Sequence, residues 1–287
     1  MLLTVKVLDK DGAVLKSTSG KTASLVYDKQ YSCGDSIRIE STVDSFVKIK
    51  LDDAVSESII FMPHKSFVFD IPFGRQLDSC FTPGAFSGDC HHISACEISD
   101  EEAYGKRKIS LNPYDMHKKA RAFPHAEANF VTREDPCFFE RNAIDGCTKN
   151  DGHGLFPYHS WAGGAREDLE YTLFFGREVT VDSLVFFLRA DFPHDTYWRS
   201  IDVEFSGGSV KTAEFQKTAD GQKIDIGGVT TTYVKLVNFK QAVYPLSWAA
   251  LSQLEVYGNY IKEDFSKMEI RQASNAKDVK HYTTDRL

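Results

Sequence analysis

The strongest constraint on this chain is a period of two. LTVKVL (3–8) and SIRIE (36–40) alternate apolar and polar residues, and FVKIKL (46–51) and SFVFDI (66–71) nearly do. Successive side chains of a strand point to opposite faces, so segments of this kind read as half-buried strands. Turn residues separate them: DKDG (9–12), CGD (33–35), DD (52–53) and PHK (63–65). No helical period stands out in the first hundred residues. A run of short strands without helices predicts a small β-sandwich.

The stretch 76–105 clusters Gly, Pro and Ser before a group of acids, and reads as irregular surface structure leading to a junction. A second β-rich region follows. Its candidate strands are KISLN (108–112), LEYTLFF (169–175), SLVFFLR (183–189), SIDVEF (200–205), VKTAEFQ (210–216), TYVKLVNF (232–239) and LSQLEVYG (251–258). The expected fold class is all-β, with two β-sandwich domains: 1–105, of unassigned role, and 106–258. A polar, charged tail at 259–287 is read as loosely ordered or as an arm that docks on a partner.

Acidic residues outnumber basic ones, 41 to 34, for a net charge of −7. Phosphate backbones call for a basic surface, so nucleic acid is not an expected partner. The longest apolar run, LVFFL (184–188), is far too short for a membrane-spanning helix. The N-terminal stretch MLLTVKVLDKDG has no basic region followed by a long apolar one. The default expectation is therefore a cytoplasmic protein whose six cysteines are mostly reduced, or an extracellular one if a leader has been removed. No P-loop, dinucleotide motif or nucleophile elbow is present.

Within the second region, NAIDG (142–146), HSW (159–161), REDLEYTLFFGREVTVDSLVFFLR (166–189), DVEFSGG (202–208) and WAALSQLEVYG (248–258) resemble the galactose-binding-like β-sandwich superfamily. That superfamily holds discoidin domains, F-type lectins and many carbohydrate-binding modules. The resemblance spans about 142–258 and implies a jelly roll with a ligand site on the loops at one end. It also implies a structural calcium in the loop after the first strand.

In RNAIDGCTKNDGHG (141–154), Asp145 matches the family's calcium-binding aspartate. Asn142 and Thr148 add oxygens, as calcium requires six to eight hard donors. Gly146 permits the tight turn. A Glu of the last strand often completes the family's shell, and Gln253 stands there instead. The same residues also suit an ion-free loop, held by Asx turns and by Asp145 accepting backbone amides. Both readings stay open in the sequence.

Sugars are held by aromatic faces and by planar polar groups, and Arg suits forked hydrogen bonding. Two loops have that mixture: GHGLFPYHSWAGGARED (152–168) and RADFPHDTYWRS (189–200). The expected carbohydrate site consists of His159, Trp161, Arg189, Asp191, His194 and Trp198. F-type lectins pair a His with an Arg-x-Asp motif; His159 and RAD (189–191) stand at a different spacing, so fucose is not implied. The expected function is non-catalytic carbohydrate recognition. The alternatives are a protein-interaction module of discoidin-like fold, with a partner on the N-terminal domain or the tail, and a carbohydrate-active enzyme or accessory subunit using Asp191, His194 and Asp195. Two weaker constellations are CHHISAC (90–96), with zinc-like spacing, and the pair His125 and Glu127.

Overall fold

The computed structural model describes residues 1–152, 154–190, 196–242 and 248–262. The N-terminal half contains β1 (Leu3–Leu8), β2 (Val14–Gly20), β3 (Thr22–Tyr27), β4 (Ser36–Ser41), β5 (Ser45–Lys50), β6 (Ser58–Met62), β7 (Ser66–Asp70) and β8 (His91–Glu97). They form two four-stranded antiparallel sheets, in the orders β2-β1-β4-β7 and β3-β8-β5-β6. The alternation read from the sequence is what packs the sheets together. Leu3, Val5, Val7, Ile37, Ile39, Phe67 and Phe69 from one meet Leu25, Ile49, Ile60 and Ile93 from the other. β1, β3, β4 and β7 bury every second residue over most of their length and leave the others facing water.

Two short helices, α1 (Arg75–Cys80) and α2 (Asp100–Tyr104), accompany this sandwich. The Ser99 hydroxyl accepts from the Glu102 amide and the Glu102 carboxylate accepts from the Ser99 amide, a capping box that fixes where α2 begins. The region read as irregular also holds β8, which lies between β3 and β5. His91, Ile93 and Ala95 are its buried face, while His92 points outward to the Ser24 hydroxyl at 2.8 Å. Small and polar residue types hid a strand whose burial nonetheless alternates. Cys90 is exposed, and among the described residues no group of three or more His, Cys, Asp or Glu is placed to hold a metal ion.

The C-terminal half contains β9 (Arg107–Lys108), β10 (His125–Ala128), β11 (Tyr171–Leu188), β12 (Trp198–Phe205), β13 (Val210–Glu214), β14 (Gln222–Gln241) and β15 (Leu251–Tyr260). One antiparallel sheet runs β13-β12-β14-β11-β15-β9, with β10 also paired to β11. The two segments expected as separate strands, 169–175 and 183–189, are one continuous strand of 18 residues, β11. The segment 232–239 is only the second part of the 20-residue β14. Straight strands of that length would run about 60 Å, several times the usual strand. They bend instead. The ladder between them breaks between Phe174 and Val179 and again between Val181 and Ser183. Gly176, at φ +69, lies in the first break; Gly227 and Gly228, at φ +85 and +86, lie opposite the second. Before the bend, Tyr171–Phe174 pairs with Tyr233–Leu236; after it, Ser183–Phe186 pairs with Gln222–Asp225. The sheet folds over on itself and encloses Phe175, Leu184, Phe186, Val203, Leu236, Leu254 and Val256.

This fold-over returns both ends of β11 and β14 to one end of the sandwich. Three aromatic side chains close that end: Trp161, Trp198 and Phe239, with ring centroids 4.8–5.9 Å apart. Trp161 exchanges a pair of 2.9 Å backbone hydrogen bonds with Leu251, and the Ala242 amide donates to the Tyr197 carbonyl.

The linker 112–129 ties the halves together. Phe61 and Phe123 exchange backbone hydrogen bonds of 2.8 and 2.9 Å. The Tyr114 hydroxyl accepts from the Leu51 amide at 3.0 Å. Asp115 and His125 form a buried 2.7 Å pair, and Asp115 also accepts from the Ala126 amide. The other nitrogen of His125 lies 3.4 Å from Glu127.

Gly258 lies where β15 passes the bend of β11. A Cβ there would come 1.9 Å from the Thr180 carbonyl oxygen. Gly258→Ala is expected to destabilise the protein by about 3 kcal/mol, the upper range for forcing atoms into a packed site. Gly207→Ala, with open space around it, is expected to leave the urea midpoint nearly unchanged. Equal midpoints for the two variants would refute this account of the bend.

Candidate functional site

The site is built on the loop that precedes β11. A buried 3-10 segment, Glu140–Ile144, delivers Asp145 to the start of the loop. One Asp145 oxygen accepts from the Cys147 amide at 2.8 Å, closing an Asx turn. The other accepts from His159 Nε2 at 2.5 Å. Phe156 stacks on the His159 ring at 5.3 Å. Gly146, at φ +95, lets the chain turn back, and its amide donates to Gln253 Oε1 at 3.2 Å. Asn150 donates to the Leu188 carbonyl at 2.7 Å. Arg189 donates to the Gly152 carbonyl at 2.7 Å and approaches the Ser160 hydroxyl at 3.5 Å. A loop of this length stays in place because its polar groups bond to one another and to the strands β11 and β15.

These residues do not fit a calcium cage. Calcium draws six to eight oxygens to one point. Asp145 supplies a carboxylate whose two oxygens are already engaged. Asn142 turns its amide nitrogen to the Pro136 and Ser160 carbonyls and its oxygen to the buried Arg141 guanidinium. Gln253 accepts from Gly146, and its amide nitrogen, a donor, is buried with no partner among the described residues. Thr148 is exposed. A histidine stands against the aspartate where the resemblance implied a cation, and a fixed positive charge adjoins Asn142. The ion-free reading of the loop is the one its hydrogen bonds support.

The residues expected to meet a sugar are brought together, but beneath the surface. Trp161 and Trp198 are wholly buried, and His159 and Arg189 are 2% and 4% exposed. Trp161 donates its indole N–H to the Phe130 carbonyl at 3.2 Å and packs on Tyr171. This corrects the expectation that these side chains present themselves to a ligand. An aromatic at the closed end of a sandwich is worth more inside, where its large apolar area leaves water. Asp191 and His194 lie outside the described residues, as does Asp195.

What is open at this end is different. A cleft of about 360 Å³ is lined by Ala165, Arg166, Glu167, Arg199, Phe239, Lys240 and Gln241. Phe239, only 6% exposed, is its apolar floor. Arg166 forks onto Asp168 at 2.8 and 2.5 Å and lies over the Phe130 ring at 5.0 Å, so its plane is held in place. Arg199 follows the buried Trp198 on β12, and Lys240 and Gln241 end β14 beside it. Trp248, just before β15, is 43% exposed. Arg166 and Arg199 of this cleft lie in the two loops singled out in the sequence, whereas Phe239, Lys240, Gln241 and Trp248 lie outside them. The available signal was alternation: a residue next to a buried aromatic at a strand end points outward.

Thiol chemistry has little foothold. Burial pushes the Cys80 and Cys147 thiols up to about 11 and the Cys137 thiol up to about 12. None is a thiolate nucleophile near neutral pH.

No protein-family model and no curated protein matches the chain. Solved structures do. A chitosan-binding module from a chitosanase/glucanase of Paenibacillus sp. IK-5 is 19% identical and is covered over 99% of its length by 53% of this chain, at a TM-score of 0.37. A fucose binding module of Streptococcus pneumoniae is 14% identical, with 55% of this chain covering 99% of it at 0.37. A family 32 carbohydrate-binding module of C. perfringens NanJ, solved with galactose, is 14% identical, with coverages of 46% and 91% at 0.36. All three of these similar structures are carbohydrate-binding modules.

Two outcomes test the site as described. Thermal melting is expected to give the same midpoint with EDTA and with added calcium, while His159→Ala, which strands the Asp145 carboxylate, lowers stability by about 2 kcal/mol. A calcium-dependent rise in midpoint would restore the metal. Iodoacetamide at pH 7 is expected to modify the exposed Cys33 and Cys90 and to leave Cys80 and Cys137 unlabelled by mass spectrometry. Rapid labelling of either buried thiol would contradict the packing at the seam.

Proposed function

We propose that this protein recognises carbohydrate, without catalysis, through the loop end of its C-terminal sandwich. The observation that supports this is the open cleft: planar polar groups from Arg166, Glu167, Arg199 and Gln241 surround an aromatic floor, Phe239. Such a site suits a sugar ring, whose C–H face is apolar and whose hydroxyls both donate and accept. The exposed Trp248 offers a second aromatic face at the same end. In this reading the buried residues do not touch the sugar. Trp161 and Trp198 stiffen the floor, while Arg189 and the Asp145–His159 pair hold the loop.

A glycan array followed by titration calorimetry tests the reading. Wild type is expected to bind at least one glycan class. Ala165→Trp, which fills the cleft from an exposed position, should abolish binding without changing the melting midpoint. Trp248→Ala should weaken it about tenfold or more, as loss of a stacked anchor does. Wild type that binds no glycan at all would overturn the proposal in favour of a protein partner. Release of reducing sugar from polysaccharides would show catalysis instead.

A further inference from the structure

The charges in the cleft narrow the kind of sugar it fits. The whole chain is acidic, at −7, yet the cleft has Arg166, Arg199 and Lys240 on its walls against Glu167. Arg166 is neutralised by its fork onto Asp168. Arg199 and Lys240 make no ion pair among the described residues. They also line the same cleft. Lys240 on β14 is the register partner of Ser200 on β12, one residue from Arg199. A concave site with an apolar floor concentrates their field more than a flat, fully wetted surface does. The backbone under both is firmly held: the Arg199 carbonyl accepts from the Phe215 amide at 2.8 Å, and the Ala242 amide, just past β14, donates to the Tyr197 carbonyl at 3.0 Å.

We infer that the saccharide bound in this cleft is anionic, with a ring carboxylate or sulfate held between Arg199 and Lys240 and the ring over Phe239. This rests on the carbohydrate reading and specifies its ligand. The Arg199 guanidinium can take two oxygens of a carboxylate or sulfate in a fork. Lys240 adds a mobile point charge, and Glu167 faces the neutral hydroxyls. Arg166 is occupied by Asp168, so it shapes the wall and leaves the anion to the other two.

The test uses two paired probes on the full chain: oligomers of a hexuronic acid beside their carboxyl-reduced forms, and sulfated hexose oligomers beside their desulfated forms. Calorimetry with wild type is expected to show at least one acidic member binding ten times or more tighter than its neutral counterpart. That preference should shrink as NaCl rises from about 50 to 500 mM, because salt screens exposed charges. Arg199→Gln combined with Lys240→Gln should erase the preference while leaving the melting midpoint unchanged, since both side chains are exposed. The wild-type comparison and its salt dependence need no variant, so a folding defect in the double variant does not blunt the test. Neutral oligomers that bind as tightly as acidic ones would overturn the anionic inference and leave carbohydrate recognition standing. Failure of every acidic and neutral glycan would overturn both.

Discussion

The backbone ladder between β11 and β14 breaks near Val181, and the C-terminal half is arranged around that break. Two strands that are too long for one face have to fold over, and the positive-φ glycines opposite the break make the turn without steric penalty. Once they fold, their ends must lie together. The aromatic plug of Trp161, Trp198 and Phe239 then seals the gap between the two layers. The cleft is a consequence: it is what remains where outward-pointing neighbours of the plug meet the loop that enters β11.

Much of this was legible in the sequence, and the failures have physical causes. Period-two alternation located β1, β4, β5 and β7, because each has one face in the core and one in water. It missed β8, whose inward residues include a histidine and an alanine, types that a hydrophobicity pattern does not register. It split β11, because the residues at the bend interrupt the pattern without interrupting the strand. At the candidate site, the density of polar and aromatic residues marked the loops that meet at one end of the sandwich. It did not show which of them face outward. Trp161 and Trp198 carry the same chemistry as a sugar-stacking residue, and only the fold-over reveals that they are covered. Asp145 was recognisable as an acceptor at a turn, but its partner, His159, lies fourteen residues on, beyond the reach of any local rule.

The loop before β11 takes its shape from the directional hydrogen bonds of its polar groups. The Asp145 carboxylate accepts from a ring nitrogen, and the Arg189 guanidinium donates to the Gly152 carbonyl. Each buried polar group has at least one geometrically defined commitment, which restricts the loop more than apolar contact would, because hydrogen bonds are directional. A rigid loop under an open cleft limits the conformational entropy lost when a ligand arrives.

The linker between the halves has a bearing on what kind of unit this chain is. Arg141 is 1% exposed and sends its donors back to the Pro113 and Asp115 carbonyls, while its ring neighbour, Phe81, belongs to the N-terminal half. Asp115, in turn, is sealed against His125. A recombination event that moved only residues 106–258 into another protein would strip the buried Arg141 guanidinium of the Phe81 ring and Phe123 of its backbone hydrogen bonds to Phe61. The two sandwiches are therefore poor candidates for independent shuffling, and a lineage carrying this seam would inherit them as a single piece.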